Sequence, residues 1–179
     1  MVKMPLAGKT ITFQNYLLAM QNLDPKTIFK NLLKVYWFLF LGMIVFLVIA
    51  ALLVSNSGPI MEDDPYINQV FKILVIAFTV AGIPLAYTIP QKRIKKINAG
   101  LGLAEKLNNY QGALIIRFAI TEGVAFFATI AFLLTGDTDL MLLLAIIYLF
   151  YIISRPSPFK TAGDLELSEE EKHQLFGDN

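Results

Sequence analysis

The chain alternates long apolar runs with short polar blocks, and the runs are too continuous to be the buried stripes of amphipathic helices in a soluble bundle. A membrane-spanning helix needs about 20 apolar residues to cross about 30 Å of hydrocarbon, because each backbone polar group must be satisfied within the helix. Residues 35–54 meet that requirement outright. No charged residue stands between Lys34 and Glu62, and Tyr36 and Trp37 sit where an interfacial aromatic belt belongs. A second run, 73–89, is just long enough and is bounded by Lys72 and by Gln91-Lys92-Arg93. The third, 113–134, is apolar apart from Arg117 and Glu122. The fourth, 140–154, covers only roughly 22 Å at helical rise, so it draws on Thr138 and Asp139 at one end and a snorkelling Arg155 at the other.

The polar blocks between these runs differ in sign, and short loops rich in Lys and Arg stay on the cytoplasmic side. Ahead of the first run stand Lys3, Lys9, Lys26, Lys30 and Lys34 against Asp24 alone. Between the second and third stand Lys92, Arg93, Lys95, Lys96 and Lys106 against Glu105. The other two connections carry Glu62, Asp63 and Asp64, then Asp137 and Asp139, with no Lys or Arg until Lys72. The pattern predicts an all-α polytopic membrane protein of four transmembrane helices with cytoplasmic N- and C-termini. It divides the chain into a cytoplasmic or interfacial N-terminal arm (1–34), a four-helix transmembrane domain (35–154) and a cytoplasmic tail (155–179). Met1 to Lys34 holds no apolar run long enough for a cleavable signal peptide, so the first span reads as an internal anchor.

In the arm, Ile11, Phe13, Tyr16, Leu17, Leu18, Met20 and Leu23 either line one side of a short interfacial helix or belong to a simply ordered arm. Asp24 followed by Pro25 marks a helix start, an N-cap acid with Pro at the first helical position. A helix from Pro25 through Val54 places Lys26, Lys30 and Lys34 on one stripe suited to anionic head groups. In the tail, Arg155-Pro156-Ser157-Pro158 stops the last span, and Ser168 with Glu171 forms a capping box that predicts a short cytoplasmic helix to about Phe176.

Composition narrows the function classes. Hydrophobic residues make up 56% of the chain and charged residues 16%, with a mean hydropathy of +0.60, which excludes a disordered chain and an ordinary soluble domain. With no Cys there is no thiol nucleophile, no disulfide and no Cys-ligated metal. A net charge of +1 gives no reason to expect a nucleic-acid partner, and the basic run from Lys92 to Lys96 is explained by topology. No GxSxG, HExxH, P-loop or GxGxxG motif occurs, and His173 lies on a charged tail. An aspartyl intramembrane protease needs two membrane acids sharing a proton, where the spans offer Glu122 alone. No catalytic residue, metal site or cofactor is therefore expected. Without an internal repeat, a complete alternating-access carrier is not expected either.

Two charges remain inside the spans. Glu122 is near the middle of the third run, where a charge costs roughly 2.5 kcal/mol or more and so needs a partner, a proton or a role. Ala119, Glu122, Gly123, Phe126 and Ile130 share a helical face whose small pair admits another helix. This predicts that Glu122 points into the bundle. Arg117 lies about 7.5 Å nearer the cytoplasm, better placed for a neighbouring head group or a phosphate. Tyr148, near the midpoint of the fourth run, falls at the depth of Glu122, with Tyr151 one turn nearer the cytoplasm. Thr79 and the Val80 carbonyl freed by Pro84 occupy the midplane of the second run. The candidate intramembrane polar site is thus Glu122, Arg117, Tyr148 and Thr79. It reads as a protonated structural Glu bonded to a Tyr, as a proton or small-cation site, or as an intersubunit contact in which Arg117 and Glu122 pair with a second chain.

The 73–134 hairpin has Ala77, Ala81, Gly82 and Ala86 on its first helix and Ile120-Thr121-Glu122-Gly123-Val124-Ala125 on its second. In this it resembles the proton-carrying c subunit of rotary ATPases, a family that implies Glu122 as an ion carrier in a ring. The chain lacks that family's glycine repeat and its Arg-Gln-Pro loop and adds spans on both sides, which disfavours the match. A second resemblance covers most of the chain. It rests on Ile116-Arg117-Phe118-Ala119, Glu122-Gly123, Leu133-Leu134-Thr135-Gly136-Asp137, Arg155-Pro156 and the acidic tail Asp164-Leu165-Glu166-Leu167-Ser168. These are similar to a group of small uncharacterised four-helix bacterial inner-membrane proteins. That resemblance implies the fold and a multi-pass plasma-membrane location, and no activity. The expected role is structural or accessory in a membrane assembly, with the lipid bilayer and other membrane-protein subunits or a second copy as partners. The alternative is a proton- or cation-coupled transport component that uses Glu122.

Overall fold

In the computed structural model the described residues are 4–6, 9–11, 24–61 and 65–177. Among the described residues a short antiparallel hairpin, β1 (Met4–Leu6) with β2 (Lys9–Ile11), precedes six helices. These are α1 (Pro25–Ser57), α2 (Pro65–Ile94), α3 (Leu103–Thr135), α4 (Asp139–Ile153), α5 (Pro158–Asp164) and α6 (Glu169–Phe176). Ile11 stands in β2, while the rest of the expected interfacial segment, and the acids Glu62, Asp63 and Asp64, lie outside the described residues.

Three of these helices, α1, α2 and α3, are long and apolar enough to cross a membrane, and α4 with α5 adds a fourth if that pair is one span. At 33 residues, α1 rises about 50 Å. It starts where the sequence predicts: the Asp24 carboxylate accepts from the Lys26 amide at 3.3 Å and from the Thr27 hydroxyl at 3.2 Å, with Pro25 opening the helix. The 15 residues of α4 fall short of the hydrocarbon thickness, and the chain then bends by 73° into α5. The helix α2 extends beyond the apolar run 73–89 at both ends, running unbroken through both Pro84 and Pro90 to Ile94. A capping box between Ser168 and Glu171 opens α6 as expected.

The centre of the bundle is α3, whose Leu107, Leu114, Phe118, Ala125, Ala128 and Ala131 are buried along one side. Antiparallel α2 packs on it closely at Gly82, where a Cβ would collide with Cγ2 of Val124. On α1, α2 and α4 many outward positions are large and apolar, among them Phe38, Leu41, Leu52, Val80, Leu142 and Leu149. So extensive an apolar surface fits hydrocarbon and not water.

The two ends are closed differently. At the acidic end, Gly136 ends α3 in the left-handed region (φ 67°), and the amides of Ile60 and Met61 donate to the Leu133 and Leu134 carbonyls at 3.3 and 3.0 Å. There Lys72 reaches Asp137 at 2.9 Å and Asp139 at 2.7 Å, tying α2 to the turn between α3 and α4. At the basic end the tail folds back on the bundle. Leu165, Leu167 and Leu175 are buried, and Phe176 meets Phe29 edge to face at 5.5 Å. Lys26, Lys30 and Lys34 stay exposed on the opposite side of α1 from the buried Ile28 and Leu32.

Candidate functional site

Polar side chains on α3 recur at Lys106, Tyr110, Arg117 and Thr121, the spacing of one helical face, and all four are buried. Outside the hydrocarbon, Lys106 forms an ion pair with Glu171 at 2.7 Å, and the Tyr110 hydroxyl donates to Asp164 at 3.1 Å. Burial first, and then the Asp164 carboxylate, push the Tyr110 hydroxyl well above the usual phenol range, so it remains a donor. Burial pushes Glu171 up, but the Lys106 ammonium and the Ser168 amide outweigh it and hold the carboxyl below the ordinary value. Deeper in, one terminal nitrogen of Arg117 donates to Gln91 at 3.4 Å and its guanidinium lies 5.3 Å from the centre of the Tyr87 ring. The Arg117 Nε has no partner among the described residues. Thr121, Thr129 and Thr135 satisfy themselves by donating to the carbonyl one turn back.

The four candidate residues do not converge. The Tyr148 hydroxyl donates to the Met43 carbonyl of α1 at 2.9 Å and leaves Glu122 alone. Thr79 is buried on α2 with its hydroxyl unpartnered among the described residues, level with Phe127 through the Phe78–Phe127 ring contact. That places it about five residues along α3 from Glu122 and roughly 140° around the helix. Arg117 faces α2, whereas Glu122 is half-buried on the side of α1 and has no hydrogen bond or ion pair among the described residues.

The expectation that the Ala119 and Gly123 face admits a helix of this chain is not met. Ala119, Gly123 and Ile130 are exposed, and a Cβ on Gly123 would meet nothing within 4 Å. The physical reason is the register between α1 and α3. Tyr36 meets Phe118 at 5.3 Å and Phe46 meets Phe126 at 5.2 Å, so the two helices run parallel. Glu122, midway between Phe118 and Phe126, therefore lies level with Leu41, midway between Tyr36 and Phe46. The neighbouring Gly42 is also exposed, with nothing within 4 Å of a would-be Cβ. An acidic side chain at mid-span thus lies beside the exposed Gly123 and level with the exposed Gly42.

A tyrosine clamp escapes the sequence reading. Tyr36, placed by sequence in an interfacial belt, is buried, and its hydroxyl donates to the Tyr151 carbonyl at 3.2 Å while Tyr151 donates to the Tyr36 carbonyl at 3.1 Å. The rings stack at 4.9 Å, with Phe40 and Phe118 against them. Trp37 is exposed, with the Arg155 guanidinium 5.4 Å from its ring centre. The eventual signal was the pairing of Tyr148 and Tyr151 one turn apart on α4, which matches two donors to one facing helix. No family model, curated protein or solved structure matches the chain.

Proposed function

We propose that this chain is a structural or accessory subunit of a membrane assembly, and that the open face of α3 around Glu122 receives a transmembrane helix of a partner. The observation that carries the reading is Glu122 itself, a mid-span carboxylate with no hydrogen bond or ion pair among the described residues, flanked by exposed Ala119 and Gly123. Small residues let a second helix approach closely, and a donor on that helix would satisfy the carboxylate that lipid cannot. The partner is another membrane subunit or a second copy. The membrane is the bacterial plasma membrane with both termini cytoplasmic, a placement supported by the concentration of Lys and Arg at one end of the bundle.

Glu122→Gln tests the role, with complex size measured in native-lipid discs and proton or cation flux measured in liposomes. The reading expects the wild type to run as a complex, the variant to lose a substantial part of it, and neither to carry a flux. A wild-type flux abolished by Glu122→Gln with the complex intact would replace it with the transport alternative.

A further inference from the structure

Where α2 ends and α3 begins, the basic end holds a concavity of about 390 Å³, within the span of about 300–1,000 Å³ common for ligand sites. Its walls include Arg93, Lys96, Asn98, Asn108, Asn109 and Gly112. Among the described residues, Arg93 and Lys96 make no ion pair, and the Asn108 and Asn109 amides make no hydrogen bond. No carboxylate lines the cavity. Its polar wall therefore offers two cations and several amide donors, with no opposing acid.

Three further observations shape what fits. Gly112 leaves the cavity open, since a Cβ there would meet nothing within 4 Å. Ile97, Leu101 and Ala113 line the same space, so the site is apolar on one side and cationic on the other. Its depth is that of the membrane surface, because Ala113 opens the third apolar run and Arg93 lies just past the end of the second. One turn below Ala113 the buried Arg117 adds a further positive charge. Basic pockets between transmembrane helices at this level match anionic head groups, and paired cations with amide donors match phosphate oxygens.

We infer that this cavity binds a phosphate-bearing anion, with Arg93 and Lys96 holding the phosphate oxygens and Asn108 and Asn109 donating beside them. The chemistry is shared by an acidic phospholipid head group and a free phosphate compound, and the sources separate experimentally. The whole protein is placed in phosphatidylcholine discs with about a tenth phosphatidylglycerol, and retained lipid is read by native mass spectrometry. The inference predicts that the wild type retains one phosphatidylglycerol in preference to phosphatidylcholine. Arg93→Gln with Lys96→Gln should weaken this roughly tenfold or more, whereas Lys92→Gln with Lys95→Gln, an equal loss of charge from side chains that do not line the cavity, should not.

Gly112→Leu keeps every charge but fills the cavity, and it should also displace the lipid. In phosphatidylcholine discs, thermal protection by inorganic phosphate that depends on Arg93 would assign the site to a soluble phosphate compound. Protection by phosphatidylglycerol alone assigns it to lipid. The inference is overturned if neither binds, or if both double variants lose the lipid equally while Gly112→Leu retains it.

Discussion

Each tyrosine of the clamp between α1 and α4 donates its hydroxyl to the carbonyl of the other, so the two hydrogen bonds and the ring stacking form one unit. In hydrocarbon an interhelical hydrogen bond contributes about 0.6 kcal/mol on average and at most about 1.7. Tyr36→Phe and Tyr151→Phe should therefore each destabilise the bundle by about 1 kcal/mol in a reversible detergent or steric-trapping unfolding assay. Alanine at either position should cost about 3–5 kcal/mol by removing the ring. A phenylalanine variant as damaging as alanine would show that the hydroxyls matter more than the packing. This clamp was hidden from the sequence, because a Tyr at the start of an apolar run fits an interfacial belt equally well. Glu122 and Arg117 were legible, since a charge in an apolar run is conspicuous wherever it points. Their surroundings were not, because facing direction depends on which helices pack against α3.

At the scale of elements, the starts of α1 and α6 follow from Asp24-Pro25 and from the Ser168 and Glu171 box, and the end of α3 from Gly136. The start of α3 at Leu103 does not, since it lies ahead of the apolar run that opens at Ala113. Nor does the extent of α2, since the apolar run bounded by Lys72 and Gln91-Lys92-Arg93 marks 73–89 whereas the helix spans Pro65–Ile94. The docking of the tail was equally illegible: Lys106 and Glu171 are far apart in the chain, and only the fold brings them to 2.7 Å. Because Glu171 is held below its ordinary value, its contribution is present above the unfolded carboxyl pKa of about 4.3 and is lost as pH falls below it. Hydrogen exchange of the α6 amides should accelerate as pH drops through that range, after correction for intrinsic rates. Glu171→Gln should remove the pH dependence and speed exchange roughly tenfold at neutral pH, as for a charge-assisted hydrogen bond worth about 1.5 kcal/mol. Unchanged protection in the variant would mean that Phe29, Leu165 and Leu175 hold the tail without the ion pair.

For the whole molecule, three long apolar helices and an apolar outer surface make a membrane protein, with α4 and α5 supplying a fourth crossing if they act as one. Within that surface the α3 face carries Ala119, Gly123 and the half-buried Glu122 between the exposed Ile115 and Ile130, whereas most outward positions in the apolar runs of α1, α2 and α4 are large aliphatic and aromatic groups. If this asymmetry is an interface, the face at Gly123 is covered by protein, and an outward position such as Leu149 on α4 is covered by lipid. A photo-crosslinking residue at Gly123, compared with one at Leu149 in the native membrane, measures the difference. A discrete crosslinked protein band from Gly123, absent from Leu149 and weakened by Glu122→Gln, is the predicted result. Crosslinking at Gly123 only to lipid, as at Leu149, would contradict a docking face and leave Glu122 exposed to the bilayer.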